Sequence, residues 1–122
     1  RIAVDCVSGA FLAVDINKFL SVDGYDERIF LYCEETMLGI KLRNAGFKTL
    51  LLTNETYVHH HAVSTQKSIP NAVKRRSLLL NSRLFVLKEY MGASKIRLCI
   101  ARCCYKIALV EEAGKILVRK LK

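Results

Sequence analysis

The sequence predicts an α+β (α/β) chain, a short mixed sheet with helices followed by a helical hairpin, on three observations. Short β-branched and aromatic runs at residues 2–4, 7–14, 47–53 and 56–59 alternate with a helix-period segment at 34–44. Two longer segments, 73–91 and 96–121, repeat apolar residues at alternating spacings of four and three. The charge also changes sign along the chain: residues 1–69 hold seven basic and eight acidic side chains, a balance of −1, whereas 70–122 hold 13 basic and three acidic, a balance of +10. The expected organisation is therefore a near-neutral half at 1–69 and a basic helical hairpin at 70–122.

In chain order, Ile2-Ala3-Val4 and Val7 to Val14 read as two strand segments meeting at a bend or bulge around Ser8-Gly9. A short helix follows at Ile16 to Leu20, and Val22-Asp23-Gly24-Tyr25 is turn chemistry in which Gly24 supplies a positive φ. The helix from Glu34 to Asn44 has Leu38, Leu42 and Ala45 as its expected buried stripe and Gly46 as its C-terminal stop. Phe47 to Thr53 and Thr56 to His59 read as strands joined by a turn at Asn54-Glu55, and His59 to Pro70 as a loop. In the basic half, Val73, Ser77, Leu80, Leu84, Leu87 and Met91 form one seam. Ile96, Ile100, Cys103, Ile107, Val110, Gly114, Leu117 and Leu121 form the second. Gly92 stops the first helix and Ser94 caps the next, so the seams are expected to face each other in an antiparallel hairpin crossing at roughly +20°. The same 4,3 spacing also suits self-association, so a homodimer stays open.

Composition bounds the classes. At 122 residues with 52% hydrophobic and 25% charged residues and one proline, disordered and low-complexity chains are excluded. No apolar run reaches the roughly 20 residues of a membrane span, because Arg97, Arg102 and Lys106 punctuate the greasiest stretch. Five cysteines, an odd number without C-x-x-C spacing, argue against a disulfide framework or zinc site and read as small core residues. The net charge of +9 first suggests nucleic acid. Its confinement to a half with few aromatics and no nucleic-acid motif points instead to phosphate groups of an anionic membrane surface or of a small ligand. A chain that opens at Arg1 on an apolar run also reads as a piece of a longer protein.

Three clusters can carry chemistry, and each has an ordinary reading beside it. Glu34-Glu35 opens a helix, where carboxylates are favoured by the helix N-terminal partial charge. Glu35 shares the side of Leu38 and Leu42, as a general base would, while Glu34 is rotated by about 100°. His59-His60-His61 follows a strand end, where His59 and His61 would share a face and suit either an ion or a polar cluster. Ser8-Gly9-Ala10 is a patch without bulky side chains, suited to a ligand or to a plain bulge.

Taken in order, Val4-Asp5-Cys6-Val7-Ser8-Gly9-Ala10, Gly24-Tyr25-Asp26-Glu27, Tyr32-Cys33-Glu34-Glu35-Thr36-Met37-Leu38, Leu42-Arg43-Asn44-Ala45-Gly46-Phe47 and Val58-His59-His60-His61 with Ser64 resemble the second half of family 2 glycosyltransferases. The likeness covers roughly residues 3 to 70 and is closest to bacterial enzymes of surface polysaccharide synthesis. It implies the C-terminal part of an inverting, nucleotide-diphospho-sugar transferase A-type fold, cytoplasmic or peripheral on the inner face of the cell membrane. The family's Glu-Asp pair falls on Glu34-Glu35, with Glu35 as the base that deprotonates the acceptor hydroxyl; its reach is one methylene longer than that of the usual Asp. Where many members have a further acid, this chain has Met37. The family's strand-end histidine falls on His59, with His61 a second candidate, near a Mg²⁺ or Mn²⁺ ion. Ser8-Gly9-Ala10 falls on the loop lining the acceptor and donor sugar, and Lys67, Arg75 and Arg76 are placed to meet the donor diphosphate. The implied partners are a nucleotide-diphosphate sugar and a saccharide or lipid-linked acceptor.

The family's Asp-x-Asp metal motif occurs nowhere in these 122 residues, so a piece inactive by itself is expected. The competing reading is a basic helical module that binds an anionic membrane surface or a protein partner without catalysis.

Overall fold

The computed structural model describes residues 1–59 and 63–120. They fall into two compact units, Arg1–His60 and His61–Lys122, each described by itself. The composition is helix-rich α+β, as the sequence predicts.

In the first unit, β1 (Ile2–Val4) pairs antiparallel with β2 (Thr49–Leu51), Ile2 opposite Leu51 and Val4 opposite Thr49. Among the described residues this two-stranded antiparallel sheet replaces the mixed sheet expected. Val7 to Val14 and Thr56 to His59 are not strands. The first segment turns at Ser8, whose Oγ accepts from Ala10 N at 3.3 Å, and its Gly9 lies against Glu35. A β-branched run forms a strand only where a ladder partner is in register, and neither segment has one.

Helix α1 (Ile16–Ser21) is capped by Asp15, whose Oδ1 accepts from the amides of Asn17 and Lys18 at 3.0 and 3.3 Å. The turn behind it needs its glycine: Gly24 has φ +50°, and a Cβ there would stand 2.7 Å from Phe19 Cε1. Helix α2 (Glu34–Asn44) spans the predicted residues. It closes in a Schellman motif, Phe47 N donating to Leu42 O and Gly46 N to Arg43 O, with Gly46 at φ +82°. Its buried residues are Met37, Leu38 and Gly39, whereas Ala45, expected in the stripe, is exposed.

The second unit begins with α3 (Val63–Ser68), a helix where a loop was expected. Asn71 caps α4 (Ala72–Phe85), its Oδ1 accepting from Lys74 N at 3.0 Å. Arg75 Nη1 donates to the carbonyls of Ile69 and Pro70 and so ties off the corner before α4. The charge switch at Pro70 lies in this corner, within the second unit. Helix α4 runs directly into one π-helical turn, Val86–Tyr90. The wider turn changes the register, so Leu80 and Val86 are buried but Met91, the last residue of the predicted seam, is 63% exposed. Gly92 at φ +59° makes the bend, and Ser94 Oγ accepts from Arg97 N at 3.4 Å to start α5 (Lys95–Lys120).

Helix α5 packs against α4 as the hairpin requires, but not through the predicted seam. The half-buried residues are Leu98, Ala101, Tyr105, Ala108, Leu109, Glu112 and Ile116, at successive spacings of one, three and four. Ile96, Ile100, Ile107, Val110 and Leu117 point outward. The helix has two apolar stripes, and the half-buried one carries the small residues Ala101 and Ala108. The cysteines correct another expectation: Cys6, Cys99, Cys103 and Cys104 are exposed and Cys33 half-buried, none in a disulfide.

Candidate functional site

The candidate site forms where the segment after β1 runs antiparallel along one face of α2. Residues 35, 39 and 43 share that face at i, i+4, i+8. At its far end Arg43 Nη1 meets Asp5 Oδ1 at 3.0 Å. In the middle, Gly39 lies so close to the Asp5 carbonyl and to Cys6 that a Cβ would collide with both. At the near end the Glu35 side chain lies on Gly9, where a Cβ would stand 3.3 Å from Oε2 and 3.5 Å from Cδ. Two groups singled out separately in the sequence, the small-residue loop and the second acid of the pair, are thus brought into contact.

Glu34 and Glu35 occupy the first turn of α2, where the amide ends favour negative charge, and both are half-buried. The approach is strained. Tyr32 and Cys33 both adopt the left-handed conformation, φ +72° and +68°, and Cys33 makes no side-chain cap to the helix. Each such non-glycine residue costs on the order of 1 kcal/mol, a conformation that persists only when its surroundings hold it.

The loop before them is organised by Asp26 and Arg28. The Asp26 side chain is only 6% exposed and grips Arg28 through two parallel bonds, Nε to Oδ1 at 2.9 Å and Nη2 to Oδ2 at 2.7 Å. Its Oδ1 also accepts from Arg28 N at 3.0 Å, so one carboxylate shapes the turn leading to Tyr32 and Cys33. From the body of α2, Lys41 Nζ donates to the carbonyls of Asp23 and Gly24 at 3.2 and 3.0 Å, fastening the preceding turn to the same helix.

A second link runs from the loop to the histidine segment. The Phe11 ring lies 5.5 Å from Tyr57, and Tyr57 lies 6.3 Å from the His59 ring, both tilted. Glu35, Gly9, Phe11, Tyr57 and His59 thus form a connected series within the first unit. His61 lies outside the described residues. Lys67, Arg75 and Arg76 belong to the second unit: Lys67 is exposed, the Arg75 guanidinium holds two backbone carbonyls, and the positive charge of Arg76 reaches Glu111.

The described residues contain no group of three or more His, Cys, Asp or Glu side chains able to hold a metal ion. His59 offers at most one nitrogen, which does not fit the oxygen-rich shell that Mg²⁺ or Mn²⁺ requires. An open groove lined by Ala3, Asp5, Arg43, Phe47 and Lys48 lies at the other end of α2 from Glu35 and is not this site.

Sequence reasoning missed Gly39, Asp26, Arg28 and the paired left-handed residues. A glycine inside a helical pattern was the available signal for Gly39. A carboxylate two residues before an arginine carries no comparable mark.

No protein-family model matches the chain, and no solved structure matches it. Curated relatives do. An N-acetylglucosaminyl-diphospho-decaprenol L-rhamnosyltransferase of Mycobacterium tuberculosis is 39% identical over 62 residues, 51% of this chain and 20% of the relative. Rhamnosyltransferase WbbL of Escherichia coli K12 is 38% identical over 45 residues, 37% of this chain and 17% of the relative. The match spans about a fifth of each relative's length. The resemblance to bacterial glycosyltransferases read from the motifs is therefore shown, and it is a resemblance to rhamnosyltransferases.

Proposed function

We propose that this chain supplies the acceptor side of an inverting glycosyltransferase of bacterial surface polysaccharide synthesis, with Glu35 as general base. The observation that carries the reading is the contact between Glu35 and Gly9. A base must present its oxygens to a bound hydroxyl, and the missing side chain at Gly9 clears the space beside Oε2 for one. In the reaction, Glu35 takes the proton from the acceptor hydroxyl as that oxygen forms a bond to the anomeric carbon. The bond from that carbon to the nucleoside diphosphate breaks on the opposite face, which inverts the centre. Glu34, rotated about 100° along the helix, takes no proton in this scheme.

The named relatives suggest the substrates: a rhamnose as the sugar transferred and a saccharide carried on a polyprenyl diphosphate as acceptor. The donor-side half of an A-type fold and its carboxylate metal ligands belong to other residues of the parent protein, with His59 adding one nitrogen at most. In support, β1, β2 and the following Leu52 leave Ile2, Leu50, Leu51 and Leu52 between 44 and 56% exposed, which suits a sheet whose faces are covered by other residues of the parent protein. Lys67 is the exposed member of the proposed diphosphate group, Arg75 and Arg76 being half-buried.

The test uses the full-length transferase. Replacing Glu35 by Gln keeps shape and removes basicity, so transfer should fall by at least a hundredfold with donor affinity nearly unchanged. Undiminished turnover in Glu35→Gln would refute the assignment.

A further inference from the structure

We infer that the outward face of α5 is a docking surface for an anionic lipid bilayer, along which the helix lies parallel to the membrane plane. This inference is independent of the transferase reading. At about 100° per residue, the half-buried side of α5 is centred on Tyr105, and the exposed apolar residues lie diametrically opposite. Ile96 and Val110 are each 73% exposed, Ile107 69% and Leu117 61%, and the exposed thiols of Cys99, Cys103 and Cys104 fall within or beside the same stripe. The stripe runs the length of a 26-residue helix, about 39 Å, over an arc of roughly 100°.

Its borders are cationic on both sides. Arg97 and Lys115 line one edge and Lys95, Arg102 and Lys106 the other. Over Lys95–Lys120 the helix carries seven basic and two acidic side chains, a net charge of +5. An apolar strip between two rows of long basic side chains is the pattern of an interfacial helix, whose strip enters the acyl boundary while the charges reach lipid phosphates. No described helix is long and apolar enough to cross a membrane, so the helix rests on the surface.

Charge decides between this occupant and a second copy of the chain. The 4,3 spacing would suit a coiled coil, but pairing two α5 helices brings two charges of +5 together. Glu111, the one acid beside the stripe, is already paired with Lys115 at 2.6 Å. Gly114 also leaves a gap in the middle of such a seam. An anionic bilayer complements the charge and tolerates the gap.

The test is co-sedimentation of the 122-residue chain with vesicles of phosphatidylcholine alone and with one third phosphatidylglycerol. Binding should rise at least tenfold with phosphatidylglycerol and return toward the neutral value in 0.5 M salt. The substitutions Ile107→Asp with Val110→Asp, at exposed positions that leave the α4 contact intact, should reduce binding at least tenfold. Arg102→Gln with Lys106→Gln should lower only the phosphatidylglycerol-dependent part, with helicity by circular dichroism unchanged in both variants. Equal binding to both vesicles, or undiminished binding by Ile107→Asp with Val110→Asp, overturns the proposal. So does a dimer in sedimentation that these substitutions dissociate without affecting vesicle binding.

Discussion

The carboxylate of Glu35 rests on the backbone of Gly9, close enough that a methyl group at Gly9 would stand 3.3 Å from Oε2. Few real Cβ atoms approach a neighbour so closely, so Gly9→Ala forces the carboxylate to yield by a few tenths of an ångström. Gly9 does not hold a positive φ, so the substitution carries no backbone penalty to confuse the result. The expected cost in the stability of this chain is about 0.5–1 kcal/mol, as for a small overpacking at a flexible side chain. In a cycle with Glu35→Ala that cost should vanish, because the group in the way is gone. Denaturant titration of the four proteins measures the coupling, and additive effects would disconnect the loop from the acid.

Gly39 makes the harder contact of the same face. Its Cβ would meet the Asp5 carbonyl and stand 2.9 Å from Cys6 Cβ, and a carbonyl cannot rotate away as a side chain can. Alanine is otherwise the better helix residue by about 1 kcal/mol, so propensity and packing predict opposite signs. Packing should win: Gly39→Ala is expected to destabilise the first unit by about 1–3 kcal/mol. A raised melting temperature in Gly39→Ala would mean that the segment after β1 does not lie against α2.

How far these contacts are legible from sequence depends on what each rests on. Helix α2 is written locally: two acids at its first turn, a 3.6-residue rhythm and Gly46 at its end, and its bounds coincide with those expected. Asp15, Asn71 and Ser94 are likewise caps recognisable from residue type. Val7 to Val14 is not legible, because β-branched residues express a strand only beside a partner, and its contact with α2, Gly9 against Glu35, joins residues far apart in the chain. Helix α5 fails for a different reason. Periodicity finds an apolar stripe but not its partner, and a helix carrying two stripes presents a choice settled by which one lets α4 approach. The left-handed Tyr32 and Cys33 had no sequence signal, since neither is glycine or asparagine.

Asp15 gives the acid limb of stability a specific origin. The amide of Lys18, donating to its side chain, together with the amide of Asn17, holds its carboxyl below the ordinary value of 3.8. A carboxyl depressed in the folded state contributes stability that is fully present above the unfolded value and is lost as pH falls through the folded one. The loss therefore begins near pH 4 and continues below it. Asp15→Asn keeps an oxygen that accepts the same amides but cannot be protonated in this range, so the variant should lose less stability than the parent between pH 5 and pH 3. Asp15→Ala removes the cap and should be less stable than both at pH 7, while sharing the flatter pH dependence of the Asn variant. Urea midpoints at pH 3, 5 and 7 provide the comparison. Parallel acid limbs for the parent and Asp15→Asn would mean that the α1 cap does not contribute to the pH dependence.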